Sequence, residues 1–213
     1  MPAKSVRPRK IPRQQRSVET RARILDAAAE VFGTHGYAAG TTNRIAAAAG
    51  LSVGSLYQYF PNKDAVLVEL MRAHVEEGTA EIARRLASVE SLPEGIEARL
   101  ALFVDAAMAN HRGNPGLHRV LFEESPVPAD LRAELERAQA WAVEVATAVL
   151  EADPSVSPAE PRVAAYVVVT TIESATHRYL SGGDRYAPPE QFAVHLVAML
   201  AAYLRNQPAP IGA

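Results

Sequence analysis

The eight residues Val53-Gly-Ser-Leu-Tyr-Gln-Tyr-Phe60 contain no charge and a high share of small and hydrogen-bonding side chains. As a helix, this stretch is a poor solvent face for want of charge and a poor core for excess of polar groups. It suits close approach to a DNA duplex. Gly54 and Ser55 permit contact, and the Gln58 amide offers the donor–acceptor pair that matches adenine in the major groove. The Tyr57 and Tyr59 hydroxyls can reach phosphates, and Lys63, just past the helix end, is placed as a phosphate clamp. The Thr42 hydroxyl, expected to cap the preceding helix, and the free amides there form a further phosphate site.

Such a helix must be presented by something rigid, and residues 45–56 supply the spacing. Ile45 and Ala49 lie four apart, so both can face inward, and Ala46 is small enough to let a second helix cross closely. Gly50 can adopt the left-handed conformation of a tight interhelical turn without a Cβ penalty. Leu51 and Leu56 then pin the next helix. This is helix-turn-helix spacing, in which the second helix enters a major groove. The same spacing also fits an αα-hairpin inside any helical bundle.

Charge is divided along the 213 residues. Residues 1–63 hold ten basic side chains against three acidic ones, a net of +7, and the remainder carries 12 against 21, a net of −9. One end suits a polyanion and the other keeps the whole in solution. Hydrophobic residues make up 48 % and charged residues 22 %, the balance of an ordinary globular protein. There is no cysteine, which excludes disulfide scaffolds, thiolate metal sites and cysteine nucleophiles. No uncharged stretch is long and apolar enough to span a bilayer, and no apolar signal core opens the chain, so a cytoplasmic protein with no membrane partner is expected. No glycine-rich phosphate loop, His-Glu-x-x-His or Gly-x-Ser-x-Gly elbow is present, and no enzymatic activity is expected.

Helical periodicity and Pro/Gly punctuation dominate, and almost nothing reads as strand. The pattern predicts helices at about 19–32, 42–50, 53–59, 62–88, 94–111, 115–124, 129–152, 158–181 and 189–206. Gly33 and Gly36 are expected to close the first. The fold class expected is all-α: a flexible basic arm at 1–16, a three-helix helix-turn-helix domain at 17–63, a larger helical domain at 64–206 for ligand binding and dimerisation, and a tail at 207–213. The arm is read as a flexible segment that lies along phosphates or in a minor groove, with a plain solubility tail as the alternative.

Residues 19–71 resemble the N-terminal DNA-binding domain of the TetR family of bacterial transcriptional regulators. The likeness rests on Ile24-Leu-Asp-Ala-Ala-Ala-Glu-Val-Phe32, Gly36-Tyr37, Thr41-Thr-Asn-Arg-Ile-Ala46, Ala49-Gly-Leu-Ser-Val-Gly-Ser-Leu-Tyr-Gln-Tyr-Phe60 and Lys63-Asp-Ala-Val-Leu67. The resemblance implies a homodimer on a palindromic double-stranded operator. It implies phosphate-facing roles for Thr42, Ser52, Gly54, Tyr57, Tyr59 and Lys63, and base-facing roles for Val53, Ser55 and Gln58. Arg44, inside a matched stretch, joins the DNA-binding set. The departures are the Pro61-Asn62 loop and the apolar residue at position 53.

In the larger domain the last helix is apolar nearly all round, which in a terminal helix suggests a partner subunit. The resemblance points the same way, implying pairing of the last two long helices with their symmetry mates. Candidates to line a pocket for a small, largely apolar effector are Phe103, Met108, His111, His118, Phe122, Trp141, Val145, Tyr166, Thr170, Glu173 and His177. Tyr166, Thr170, Glu173 and His177 share one helical stripe, facing either a pocket or a dimer seam. Glu173 and His177, four apart, could hold a metal, but a hydrogen bond or dimer contact is the expectation, with no metal and no cofactor. The function expected is a sequence-specific DNA-binding regulator, a repressor released from its operator by the effector. The alternative is a helical small-molecule-binding or enzymatic protein whose basic arm binds nucleic acid non-specifically.

Overall fold

The computed structural model describes residues 15–88, 91–111, 117, 119–121, 129–181 and 187–206, with backbone only at 15, 111, 129 and 130. Among them are eight helices and no strand: α1 (Gln15–Ala39), α2 (Thr42–Ala48), α3 (Val53–Tyr59), α4 (Lys63–Ala87), α5 (Ile96–His111), α6 (Ala129–Glu151), α7 (Pro161–Ser181) and α8 (Pro189–Arg205). The chain is all-α, as its periodicity predicts. Most of the arm, the greater part of the helix expected at 115–124, and the tail fall outside the described residues; α1 begins inside the stretch expected as arm. The residues form two compact units, 1–74 with 114–132 and 75–113 with 133–213.

In the first unit, α1 buries the stripe that its sequence spacing defines: Ile24, Ala27, Ala28, Val31 and Phe32 are all in the core. It does not end at Gly33. The helical hydrogen bonds tolerate that glycine, and the break comes at Gly36, whose φ of 73° is left-handed, a conformation glycine adopts at no Cβ cost. Gly40 follows where there is no room for a side chain. A Cβ there would stand 2.4 Å from the Phe32 ring and 3.0 Å from the Gly36 carbonyl oxygen. Gly40→Ala is therefore expected to destabilise this unit by about 1–3 kcal/mol through overpacking, read as a lowered midpoint in a thermal melt.

α2 is capped by Thr41, not by Thr42. The Thr41 hydroxyl accepts from the Arg44 amide at 3.3 Å, and Thr42 is already the first helical residue. Ile45, Ala46 and Ala49 face inward as their spacing requires, and Gly50 takes φ 65° to close the turn. Its amide and that of Leu51 donate to the Ala47 and Ala46 carbonyls at 3.1 and 2.9 Å. Ser52 caps α3 by accepting from the Ser55 amide at 3.1 Å, and Asn62 caps α4 through the Ala65 amide at 2.8 Å. Residues Ala65–Met71 of α4 are buried without interruption, including Glu69, which is held by Arg21 and Arg72.

In the second unit, α5 and α8 run antiparallel: Glu97 at the start of one forms a bidentate pair with Arg205 at the end of the other, at 2.5 and 2.7 Å. Their contact is part of a core that also takes Val143 and Leu150 from α6 and Val168 and Ile172 from α7. Tyr179 stacks on Phe192 at 4.1 Å between ring centroids and donates to the Ala187 carbonyl at 2.6 Å, which fixes the approach of α7 to α8. α7 starts at Pro161, a residue suited to a first helical turn, rather than at 158. Not every apolar residue of α7 and α8 is covered. Val163 and Tyr166 on one, and Val194 and Met199 on the other, are each more than half exposed.

Candidate functional site

α3 divides cleanly by face. Leu56 and the following Phe60 are fully buried, while Ser52, Gly54, Tyr57 and Gln58 are exposed and Val53, Ser55 and Tyr59 are half-buried. The helix therefore spends two residues on its attachment and offers the rest of its uncharged surface outward. Gly54 is not required by packing within the chain: a Cβ there would meet nothing nearer than the Ser52 hydroxyl at 3.9 Å. The Ser52 and Ser55 hydroxyls lie 2.8 Å apart, and the Tyr57 and Thr42 hydroxyls share a hydrogen bond of 3.3 Å, joining the starts of α2 and the middle of α3 at the surface.

Two of the cations expected at DNA, Lys63 and Arg44, also have work inside the unit. Lys63 Nζ donates to the Tyr37 carbonyl at 2.7 Å and sits 4.0 Å over the Tyr37 ring, and Arg44 donates to the Ala39 carbonyl at 3.2 Å. Both satisfy carbonyls that the end of α1 leaves without helical partners. Tyr37 in turn donates its phenolic proton to Asp64; burial, that hydrogen bond and the carboxylate charge together push its pKa far above the ordinary phenol value. Arg23 closes the other side by donating to the Ala49 carbonyl at 2.5 Å. These links between α1, α2 and α4 were not legible from residue types, because a charge in a sequence does not reveal which carbonyl it will meet.

The second unit holds a cavity of about 80 Å³ walled by α4, α5, α6 and α7. Of the eleven candidates for such a wall, the structure brings Phe103 and Glu173 to it. Met108 lies in an open groove of about 550 Å³ between α5 and α8. Trp141, Val145, Tyr166, Thr170 and His177 stand outside the wall; the Thr170 hydroxyl turns back to the Tyr166 carbonyl of its own helix at 2.7 Å. His118, Phe122 and the His111 side chain lie outside the described residues. The wall is made mostly of residues with no chemical signature, such as Leu100, Ala107, Ala142, Ala146 and Val169. Small alanines leave the space, and only their convergence makes it a site.

Arg99 is the polar residue that the sequence did not single out. Nearly buried, it donates to the Pro93 and Val149 carbonyls at 2.9 and 3.1 Å and lies 3.2 Å from the Asp153 carboxylate. Burial alone would raise the Asp153 pKa, but the Ser155 hydroxyl and amide, with Arg99, outweigh it and hold the carboxyl below its usual range. Glu173 moves the opposite way, pushed up by desolvation. No group of three or more potential metal ligands occurs among the described residues, and no helix described is long and apolar enough to cross a membrane.

Comparison with known proteins agrees with this architecture. Residues 24–70 match the bacterial regulatory proteins of the tetR family, and residues 95–204 match the tetracyclin repressor-like C-terminal domain. An HTH-type transcriptional repressor of Streptomyces coelicolor is 34 % identical over 129 residues, 60 % of this chain and 62 % of that protein's length. The nucleoid occlusion factor SlmA of Photobacterium profundum is 26 % identical over 191 residues, 86 % of this chain and 95 % of that protein. The structure of the fatty acid degradation regulator FadR from Bacillus halodurans superposes with a TM-score of 0.62 at 20 % identity, covering 87 % of this chain and 94 % of that one, a likeness of fold. With both halves matched, the helix-turn-helix and the helical unit beyond it, the chain belongs to the TetR family of bacterial regulatory proteins and is a DNA-binding transcriptional regulator.

Proposed function

We propose that this regulator is a homodimeric repressor that reads a palindromic operator with α3 and leaves it when a small, largely apolar effector occupies the second unit. The observation that supports this most is the outward face of α3: uncharged, small at Gly54, and lined with hydrogen-bonding groups that the chain itself leaves accessible. In this reading Val53, Ser55 and Gln58 face bases, and Thr42, Arg44, Ser52, Gly54, Tyr57, Tyr59 and Lys63 face phosphates. The reading domain comprises residues 17–63, with 64–206 serving effector and dimer. The exposed apolar residues of α7 and α8 support a dimer seam on those helices, since an apolar patch of this kind marks an interface. The enzymatic alternative is not favoured, as the proteins this chain resembles are regulators. Acting on DNA, the protein works in the cytoplasm by binding, not by catalysis.

Paired reading helices in such dimers serve half-sites roughly one helical turn apart, about 34–36 Å, so an effector that favours another spacing weakens the operator complex. We assign the relay to α4, whose residues 63–74 belong to the first unit and 75–87 to the second.

Footprinting on the DNA flanking the protein's own gene, at two salt concentrations, tests this. A protected palindrome is the expected result; salt-labile protection without defined edges would overturn it. Two substitutions separate the roles. Gln58→Ala is expected to cost about 1–3 kcal/mol of discrimination at its base pair while leaving the melting temperature within a degree or two. Lys63→Ala is expected to weaken all sequences alike and lower the salt slope by about 1, and to lower the melting temperature as well, because the Tyr37 carbonyl loses its donor. Anisotropy titrations on operator and random duplexes, with a melt of each variant, check both.

A further inference from the structure

The cavity of the second unit contains one charge that no described residue answers. Its two ionisable wall residues are Arg99 and Glu173. The Arg99 guanidinium faces a carboxylate, Asp153, which balances its charge, and it donates to the Pro93 and Val149 carbonyls. Glu173 differs. Among the described residues no hydrogen bond or ion pair reaches its carboxylate, which is open to solvent on one side and borders the cavity on the other. The remainder of the wall is apolar, with Phe103 as its aromatic member.

We propose that the effector is a compact apolar amine, protonated at neutral pH, whose hydrocarbon part fills this cavity and whose ammonium pairs with Glu173. The proposal deepens the reading above and rests on it for the assignment of the cavity as the effector site. An acidic ligand, such as a fatty acid, would find the Arg99 charge already balanced by Asp153 and a like charge at Glu173. A neutral apolar ligand would cover the cavity side of the carboxylate and offer it no partner there. A cation reverses that penalty: desolvation already pushes the Glu173 carboxyl above its ordinary value, and an ammonium beside it restores the ionised form. A volume of about 80 Å³, roughly half that of a cavity that holds benzene, suits a branched chain of a few carbons with its charged head at the open side.

Three near-isosteric probes decide the matter: isobutylamine, isobutanol and isobutyrate, charged +1, 0 and −1. Each is titrated calorimetrically into the full-length protein and into Glu173→Gln. Isobutylamine is expected to bind at least about tenfold more tightly than isobutanol, the scale of a hydrogen bond to a charged group, and isobutyrate not to bind. Glu173→Gln is expected to lose about tenfold or more for isobutylamine while isobutanol changes less than about twofold, with the circular dichroism of the protein unchanged. Isobutyrate binding as well as isobutylamine, indifference of isobutylamine to the substitution, or no binding by any probe would each overturn the inference. Operator release by the same probes is measured separately. Release by isobutyrate or isobutanol but not by isobutylamine would leave the repressor reading standing and this inference overturned. Glu173-dependent isobutylamine binding with no release would leave the pocket chemistry standing and remove its role as effector site.

Discussion

Gly54→Leu is expected to leave the free protein folded, with a melting temperature unchanged or slightly raised, and to weaken operator binding by at least about 100-fold, a fraction of the gap between specific and non-specific affinity. The two halves of this result have different causes. Within the chain, a side chain at position 54 meets nothing nearer than the Ser52 hydroxyl at 3.9 Å, so no contact is strained. Leucine is also the better helix former, by about 0.5–1 kcal/mol in a helix interior. Against DNA the same side chain stands on the outward face, between Ser52 and Gln58, where it holds the helix backbone away from the duplex. Every base contact from α3 then lengthens together, which is why the loss exceeds that of one hydrogen bond. Thermal melts and anisotropy titrations on the footprinted operator check it. A lowered melting temperature would mean that the glycine serves the fold; unchanged affinity would mean that α3 does not read the DNA.

The second large effect lies in the other unit. Asp153→Ala is expected to cost about 3–5 kcal/mol at neutral pH, the scale for removing one partner of a buried ion pair. Asp153 is 2 % and Arg99 8 % exposed, so the guanidinium left behind is desolvated and without its counter-charge. The turn after α6 loses its organiser too, since Asp153 accepts from the Ser155 amide at 2.9 Å and from its hydroxyl at 2.6 Å. The sign of the pH dependence follows from the direction of the shift. Burial raises the Asp153 pKa, the Ser155 bonds and Arg99 outweigh burial, and the folded value ends below the unfolded one. The contribution is therefore complete above the unfolded value of about 3.9 and is lost as pH falls through the folded value. Urea denaturation of the native protein and of Asp153→Ala is expected to give midpoints whose difference is larger at pH 7 than below about pH 4, the part lost being set by the size of the Asp153 shift. A gap that stays constant across that range would assign the effect to packing alone.

The amino-acid sequence by itself determined the reading head. Its signals are local: Ile45, Ala46, Ala49, Gly50, Leu51 and Leu56 fall within twelve residues, and each acts on a neighbour one or two helical turns away, so spacing alone places them inside and the turn between them. The helix positions followed from the same short-range punctuation, with errors of the same range. The α2 cap is Thr41, one residue earlier than expected, and α1 passes through Gly33 to break at Gly36, because a glycine permits a helix end without imposing one. Tertiary structure alone decided the roles of the charges and of the cavity. Lys63 and Arg44 read from the sequence only as DNA ligands, and the fold adds that the end of α1 presents carbonyls to both. Of the eight described residues among those chosen for their chemistry as cavity lining, Phe103 and Glu173 are found in the wall, since a cavity is defined by what is missing between helices. Ala107, Ala142 and Ala146 create that space by being small, from positions far apart in the chain, and no residue type announces it. Arg99 could be placed only once Asp153, more than fifty positions away, had been folded against it.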